Sequence, residues 1–196
     1  MPNKDIVNFI FEINQLKHVK HSGLNLIGVR DPDNTAEHVM RAAQIGYILA
    51  CLEGDADPEK VATILIVHEN AEARIGDQNK IAARYFSKKQ IEKKAFLDQI
   101  KNLDKSLQKS WKDYFNQIEE RTTKEGIIAK DADWLERAFQ AKEYIDLGYQ
   151  AAQDWIDNVE KALETKSAKV ILQELKKTKF TDWWQGLKKM TYKKLK

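Results

Sequence analysis

A candidate set of six side chains that could bind a metal ion or transfer a proton lies between positions 38 and 133 of this 196-residue chain. Imidazole and carboxylate groups together are typical ligands of a divalent transition ion such as Mn²⁺, Co²⁺, Fe²⁺ or Zn²⁺. The chain has one cysteine, so a site built from several thiolates is excluded. The set therefore indicates metal-assisted chemistry. Its members are His38, His68, Glu69, Glu72, Asp77 and Asp133.

Four of these residues follow an apolar run at positions 61–67, which predicts a buried helix that ends in ionisable side chains. In a helix His68 and Glu72 are four positions apart and share a face, while Glu69 lies about 100° round from His68. We expect this end of the helix to hold a cation and to handle a proton. A zincin site is excluded, because its motif needs a second histidine where this chain has Glu72.

Each of these residues also has an ordinary explanation when it is taken alone. His38 could line or cap a helix, and Asp133 could favour a helix amino terminus, where the helix dipole stabilises negative charge. Glu72 could pair with a nearby arginine or lysine. The hypothesis of a metal site therefore depends on their occurring together.

Helices must position these residues, because the composition gives little sign of strands. Only 3 Pro and 8 Gly interrupt the chain, and runs of β-branched residues are scarce, so we predict an all-α fold. Asn34 with Glu37 predicts a capping box before the helix that carries His38, and Asp57 before Pro58 predicts another helix start. The predicted helices cover residues 4–17, 34–53, 58–76, 80–103, 105–122, 127–159, 165–176 and 181–195.

A chain of this length forms one domain, or one domain with an appendage. Its net charge is only +3, but residues 166–196 are rich in lysine and include Trp183, Trp184 and Tyr192. Such a tail could bind single-stranded nucleic acid, although we favour aromatic side chains that dock the tail onto the domain. No segment approaches the roughly 20 apolar residues of a membrane span and no signal peptide is evident, so we expect a cytoplasmic protein without a membrane partner.

The candidate residues belong to short motifs whose order and spacing are informative. These are His21-Ser22-Gly23-Leu24, Ala36-Glu37-His38, His68-Glu69-Asn70-Ala71-Glu72, Ile75-Gly76-Asp77, and the segment 130–136 that contains Asp133. In this order they resemble the motifs of the HD-domain metal-dependent phosphohydrolases, and within them the 5'-deoxynucleotidase group. The likeness covers roughly residues 8–150.

This resemblance implies an HD-domain helical bundle at residues 1–160, with a basic, aromatic-containing helical extension at 161–196 packed on it. It also implies one divalent transition metal, Mn, Co, Fe or Zn. The implied catalytic residues are Glu72, near the metal-bound water, and Asp77, near the sugar hydroxyl of the substrate. The implied metal ligands are His38, His68, Glu69 and Asp133. The candidate substrate-binding residues are His21, Leu24, Lys80 and Asp77.

The resemblance further implies an enzyme, a metal-dependent phosphomonoesterase that hydrolyses (deoxy)nucleoside 5'-monophosphates to nucleoside and phosphate. It implies a homodimer, for which the aromatic-rich helix around 111–115 offers an apolar face. Glu69 stands where the family has Asp, and His21 and Leu24 replace the Arg and Trp of its Arg-x-Gly-Trp loop. The alternatives are therefore an HD phosphohydrolase with a different nucleotide or phosphoester substrate, or a catalytically decayed HD-fold binding module.

Overall fold

The computed structural model describes residues 3–187, and nearly all of its regular structure is helical. Within that range no β-strand forms, and one isolated bridge joins Lys20 to Asn34. The predicted all-α fold is confirmed. The helices are α1 (Asn3–Ile13), α2 (Ser22–Asn25), α3 (Thr35–Glu53), α4 (Pro58–Val67), α5 (Glu72–Ile75), α6 (Lys88–Ile100), α7 (Lys105–Glu120), α8 (Lys124–Asp146), α9 (Gln153–Ala162), α10 (Lys166–Lys177) and α11 (Asp182–Gln185).

The two predicted helix starts are confirmed. The Asn34 side chain accepts a hydrogen bond from the backbone N–H of Glu37 at 3.0 Å, and the Glu37 carboxylate accepts one from the N–H of Asn34 at 2.9 Å. Asp57 caps α4 by accepting from the N–H of Glu59 at 2.9 Å, with Pro58 at the first helical position. These local signals fix where the helices that carry the site begin.

Helices α3, α4 and α8 pack against one another and form the centre of the core. Leu49, Ile64 and Leu135, one from each helix, are fully buried. At Gly46 of α3, a Cβ atom would lie 2.3 Å from the end of the Leu65 side chain, so glycine lets α3 approach α4 closely without displacing that side chain. The dense contact holds the candidate ligands of the three helices in fixed relative positions.

The helix predicted over 58–76 is not continuous. Helix α4 ends at Val67, and Glu72 begins the separate helix α5. In the intervening turn the N–H of Asn70 donates to the carbonyl of Val67 at 3.2 Å, and the N–H of Glu72 donates to that of Glu69 at 2.9 Å. The Gln99 amide of α6 donates to the carbonyl of Asn70 at 3.1 Å, so a contact from a distant helix stabilises the break.

Two other predicted helices also differ from the structure. The long helix predicted over 127–159 is divided into α8 and α9, because Gly148 adopts a left-handed backbone conformation with φ of 106°. The helix predicted over 80–103 begins only at Lys88. The segment before it forms a turn and a short 3₁₀ helix at Ala82–Arg84.

The aromatic face expected at residues 111–115 is covered by the chain itself. The ring of Phe115 stacks on Phe96 of α6 with centroids 4.8 Å apart, and the ring of Trp111 lies 5.4 Å from Phe9 of α1. These four residues belong to a second, smaller hydrophobic cluster. The face that we expected to serve a homodimer is therefore used for internal packing.

Helix α10 joins the main core through Ala168, Leu172 and Leu175, which are buried. Beyond it, α11 is much shorter than the helix predicted over 181–195, and residues 188–196, including Tyr192, lie outside the described residues. The division into a domain at 1–160 and an extension at 161–196 stays a prediction. Between residues 3 and 187, no helix combines the length and the apolar character that crossing a bilayer requires.

Asp131 of α8 anchors the start of α10. Its buried carboxylate accepts hydrogen bonds from the N–H of Glu164 at 3.1 Å, from the N–H of Thr165 at 2.7 Å and from the Thr165 hydroxyl at 2.6 Å. Asp131 therefore has a structural role, whereas Asp133, two residues later on the same helix, points elsewhere.

Replacing Asp131 with alanine should lower the free energy of unfolding by about 2–4 kcal/mol, because it leaves buried donors without acceptors. Asp104→Ala provides a matched control, since Asp104 caps α7 on the exposed surface and should cost only about 1 kcal/mol. Urea unfolding followed by circular dichroism measures both values. Equal losses for the two variants would contradict the anchoring role.

Candidate active site

Four predicted ligands converge where α3, the end of α4 and the middle of α8 meet. The Nε2 atom of His38 lies 3.3 Å from Oδ1 of Asp133, and the Nε2 atom of His68 lies 3.8 Å from the same oxygen. Oε1 of Glu69 is 3.4 Å from Nε2 of His68. One nitrogen or oxygen of each residue lies within 4.8 Å of all the others, so one cation could contact the four together.

The two imidazoles are oriented as metal ligands need to be. Nδ1 of His68 lies 2.6 Å from the carbonyl oxygen of Leu65; because a carbonyl can only accept, this nitrogen carries the proton. Nδ1 of His38 is hydrogen-bonded to the carboxylate of Glu136. If each ring is neutral, as a metal ligand must be, the lone pair is therefore on Nε2, and both Nε2 atoms are buried without a hydrogen-bond partner among residues 3–187. This donor set fits a divalent cation.

The two carboxylates of the cluster are held in their ionised form. Burial works to raise the pKa of Asp133, but the ammonium of Lys130 and the adjacent imidazoles of His38 and His68 hold it well below its usual value. Burial likewise opposes ionisation of Glu69, yet the imidazole of His68 and the ammonium of Lys88 lower its pKa to about 2. Both groups are negatively charged at neutral pH and can coordinate a cation.

Glu72 lies beside this cluster and is almost fully buried, with 1% of its surface exposed. Its Oε2 accepts a hydrogen bond from the Thr35 hydroxyl at 2.8 Å. Its Oε1 has no hydrogen-bond partner among the described residues, and the ammonium of Lys88 lies 3.7 Å away. Burial and the negative charge of Glu69 raise the pKa of Glu72 well above its usual value. A carboxylate with a raised pKa is a stronger base than an ordinary one, which suits it to accept a proton.

The loop that contains His21 closes another side of the site. Nδ1 of His21 is 2.9 Å from Oδ2 of Asp33, and its ring lies edge-on to that of His38 with centroids 5.5 Å apart. Oδ2 of Asp77 accepts hydrogen bonds from the N–H of Ser22 at 2.7 Å and from its hydroxyl at 3.0 Å. Asp77 thus ties the loop to the segment after α5. It is not one of the four clustered ligands.

The other two predicted substrate-binding residues are placed less clearly. Leu24 is only 4% exposed, so it offers little surface to a ligand. Lys80 is exposed in the turn that precedes the 3₁₀ helix at Ala82–Arg84, and no hydrogen bond or ion pair joins it to another described residue. Their roles in substrate binding stay predictions.

Sequence reasoning did not assign Glu136, although it lies one helical turn after Asp133. Glu136 contacts His38 with one carboxylate oxygen, and its other oxygen accepts from Nε of Arg41 at 2.9 Å. Arg41 also donates to Glu143 at 2.6 Å. The three-residue spacing from Asp133 was the available signal, because it places both carboxylates on the same side of α8.

Replacing Glu136 with glutamine should weaken metal binding by about 10- to 100-fold, because a second carboxylate that fixes a histidine ligand contributes this much to affinity. Glu143→Gln is the matched control: it also removes a partner of Arg41, but it does not contact His38. Titration of the metal-stripped variants with Mn²⁺ or Co²⁺ provides the affinities. Similar affinities for the two variants would show that Glu136 does not support His38.

Known proteins resemble the chain in sequence and in structure. A family model described as HD domain matches residues 13–176. The 5'-deoxynucleotidase HDDC2 of Dictyostelium discoideum is 30% identical over 139 residues, which cover 66% of this chain and 72% of the relative. The 5'-deoxynucleotidase HDDC2 of Homo sapiens is 24% identical over 162 residues, covering 79% and 76%. The solved structure of a conserved hypothetical protein from Pyrococcus furiosus is 27% identical with a TM-score of 0.74, covering 88% of this chain and 99% of that protein.

Proposed function

Because the chain belongs to the HD-domain family, we propose that it is a metal-dependent phosphomonoesterase that hydrolyses deoxynucleoside 5'-monophosphates to nucleoside and phosphate. The strongest support is the convergence of His38, His68, Glu69 and Asp133 from three separate helices. A buried group of two imidazoles with free Nε2 atoms and two ionised carboxylates has no evident structural use without a cation. We take that cation to be one transition metal, of the series Mn, Co, Fe and Zn.

The four clustered residues would hold the cation through Nε2 of each histidine and through carboxylate oxygens of Glu69 and Asp133. A divalent cation supplies Lewis acidity toward a phosphate oxygen and lowers the pKa of water toward neutrality. Glu69 is one methylene longer than the family's aspartate, and its carboxylate still lies close to the other ligands, 3.4 Å from Nε2 of His68. This contact supports an active site over a decayed one.

Glu72 is the proposed proton acceptor. The Thr35 hydroxyl holds its Oε2, so its Oε1 is the oxygen that can take a proton. In the proposed reaction Glu72 takes a proton from the attacking water, the new P–O bond forms, and the bond from phosphorus to the 5'-oxygen breaks. The leaving oxygen gains a proton and departs as the nucleoside hydroxyl, which balances the hydrolysis.

Asp77 is the proposed contact for the sugar. When ionised, its carboxylate accepts hydrogen bonds only, so it suits a 3'-hydroxyl donor. The two hydrogen bonds from Ser22 hold this carboxylate at the edge of the site, between the His21 loop and α5. This fixed position supports a role in orienting the nucleotide.

The direct test is phosphate release from a panel of deoxy- and ribonucleoside 5'-monophosphates. The protein is stripped of metal, and Mn²⁺, Co²⁺ or Mg²⁺ is added back separately. We expect hydrolysis to require added metal and to favour deoxynucleotides. Hydrolysis of a different phosphoester instead would establish the alternative substrate, and a metal-loaded protein that hydrolyses nothing would establish a binding module.

We also propose a cytoplasmic homodimer, in line with the expectation drawn from the sequence. With 111–115 buried internally, a better candidate face is the exposed stripe on α3. It contains Met40, Tyr47, Ile48 and Leu52, which are 46–61% exposed and recur at helical spacing. Sedimentation of the wild type and of a Tyr47→Glu, Ile48→Glu variant tests this face.

A further inference from the structure

Arg137 is a cation of the site whose charge has no partner at close range. It lies on α8 one turn after the ligand Asp133 and is partly buried. Among residues 3–187 no carboxylate lies within 4 Å of its guanidinium, and it donates no hydrogen bond. The neighbouring cations differ, since Arg41 pairs with Glu136, and Lys130 pairs with Asp133 at 2.9 Å. A guanidinium in such surroundings is usually paired.

The position of Arg137 on α8 directs it toward the site. Residues 133, 137 and 140 are spaced by four and three, so they lie on one face of the helix. The first member of this stripe is a proposed metal ligand, and the last, Gln140, is buried near Asp33 of the His21–Asp33 pair. Arg137 therefore lies between the clustered ligands and the loop that closes the site.

The electrostatics of the surrounding groups agree with this placement. Burial acts to lower the pKa of Arg137, but the carboxylates of Glu136, Asp133, Glu69 and Asp33 outweigh it and raise the pKa. Burial lowers the pKa of His21, and the positive charge of Arg137 contributes to the same shift. The guanidinium is thus near both halves of the site, yet it is engaged by neither.

The proposed substrate also needs a positive group here. A phosphate monoester dianion would enter a site lined by the ionised carboxylates of Asp33, Glu69 and Asp133, which repel it. His21 cannot fully offset this charge, because its Nδ1 is occupied by Asp33. A guanidinium offers a planar fork of donors that matches two phosphate oxygens.

We propose that Arg137 is the residue that binds the phosphoryl oxygens of the substrate, from helix α8 and not from the His21 loop. This inference rests on the proposed function, since it names the group that recognises the phosphate of the same nucleotide. In this arrangement the His21 loop forms one wall of the site through the contact between His21 and Asp33. Helix α8 supplies both a metal ligand, Asp133, and the positive charge that binds the phosphate. Phosphorylated ligands are selected over neutral nucleosides as a result.

The test compares Arg137→Gln and Arg137→Lys with the wild type, all loaded with Mn²⁺, by calorimetric titration with inorganic phosphate and with a deoxynucleoside. Arg137→Gln should weaken phosphate binding at least tenfold, and Arg137→Lys should lie between, because it keeps the charge and loses the fork. Deoxynucleoside affinity and metal content should be unchanged. Arg121→Gln is the control, since Arg121 pairs with Glu164 at the end of α7.

Unchanged phosphate affinity in both Arg137 variants would overturn the inference. A second pair of results would also overturn it: Arg137→Gln loses its bound Mn²⁺, and Arg137→Lys binds phosphate as tightly as the wild type. Arg137 would then only balance the negative charge of the metal ligands. These experiments distinguish a failure of the Arg137 inference from a failure of the proposed function. A wild type that binds phosphate through Arg137 but hydrolyses no nucleotide refutes the activity alone, and a hydrolase whose KM is insensitive to Arg137→Gln refutes this inference alone.

Discussion

Replacing Glu72 with glutamine should reduce phosphate release from a deoxynucleoside 5'-monophosphate by about 10²- to 10⁴-fold, the range contributed by a positioned general base. Glutamine keeps the shape and can still accept the hydrogen bond from Thr35, but its amide cannot take a proton. Metal content should stay close to that of the wild type, because Glu72 is not among the four clustered ligands. Phosphate release and metal content of the same preparation are the two measurements.

Glu92→Gln is the matched control for this prediction. Glu92 also contacts Lys88, at 3.1 Å, but it lies on α6 and does not contact Thr35. Its replacement should leave most of the activity. If Glu72→Gln instead loses the metal, Glu72 belongs to the ligands; if the variant keeps full activity, another group accepts the proton.

Replacing His68 with alanine should remove the metal and all metal-dependent gain in stability. A ligand that binds only the native state stabilises it by about 4 kcal/mol when its concentration is about 1,000 times Kd. Added Mn²⁺ or Co²⁺ should therefore raise the Tm of the wild type and leave that of His68→Ala unchanged. Differential scanning calorimetry with and without metal measures this difference, and elemental analysis provides the metal content.

His18→Ala is the control for loss of an imidazole. His18 is exposed at the end of the 3₁₀ helix Asn14–Lys17, away from the ligands. The metal should raise its Tm as much as it raises that of the wild type. A metal-dependent rise in His68→Ala as large as in the wild type would place the cation elsewhere.

Local sequence signals were sufficient to predict much of the fold. The capping box of Asn34 and Glu37 depends on residues three positions apart, and the Asp57–Pro58 start depends on neighbours. Because these signals are local, the starts of α3 and α4 were predicted correctly. Helix α3 carries His38, and α4 ends directly before His68. The motif order, taken together with the family resemblance, named four side chains that the structure brings within 4.8 Å of one another.

The split of the helix predicted over 127–159 has a local cause, the backbone of Gly148, but other predictions failed because of contacts between residues distant in sequence. The break after Val67 is stabilised by the amide of Gln99, about thirty positions away, and no pattern around residue 67 reveals it. The apolar face at 111–115 was predicted, but the sequence does not reveal that its partner is Phe96 of α6, which stacks on Phe115, and not a second copy of the chain. Arg137 was missed because a single arginine on a charged helix is uninformative until its neighbours are known.

The break between α4 and α5 separates the contacts that hold His68 from those that hold Glu72. His68 is anchored to the core through the carbonyl of Leu65, whereas Glu72 belongs to a one-turn helix held through Thr35 and Lys88. In the proposed reaction, ion binding and proton acceptance therefore depend on different supports. Replacements that disturb α5 should change the rate of hydrolysis more than the affinity for the ion.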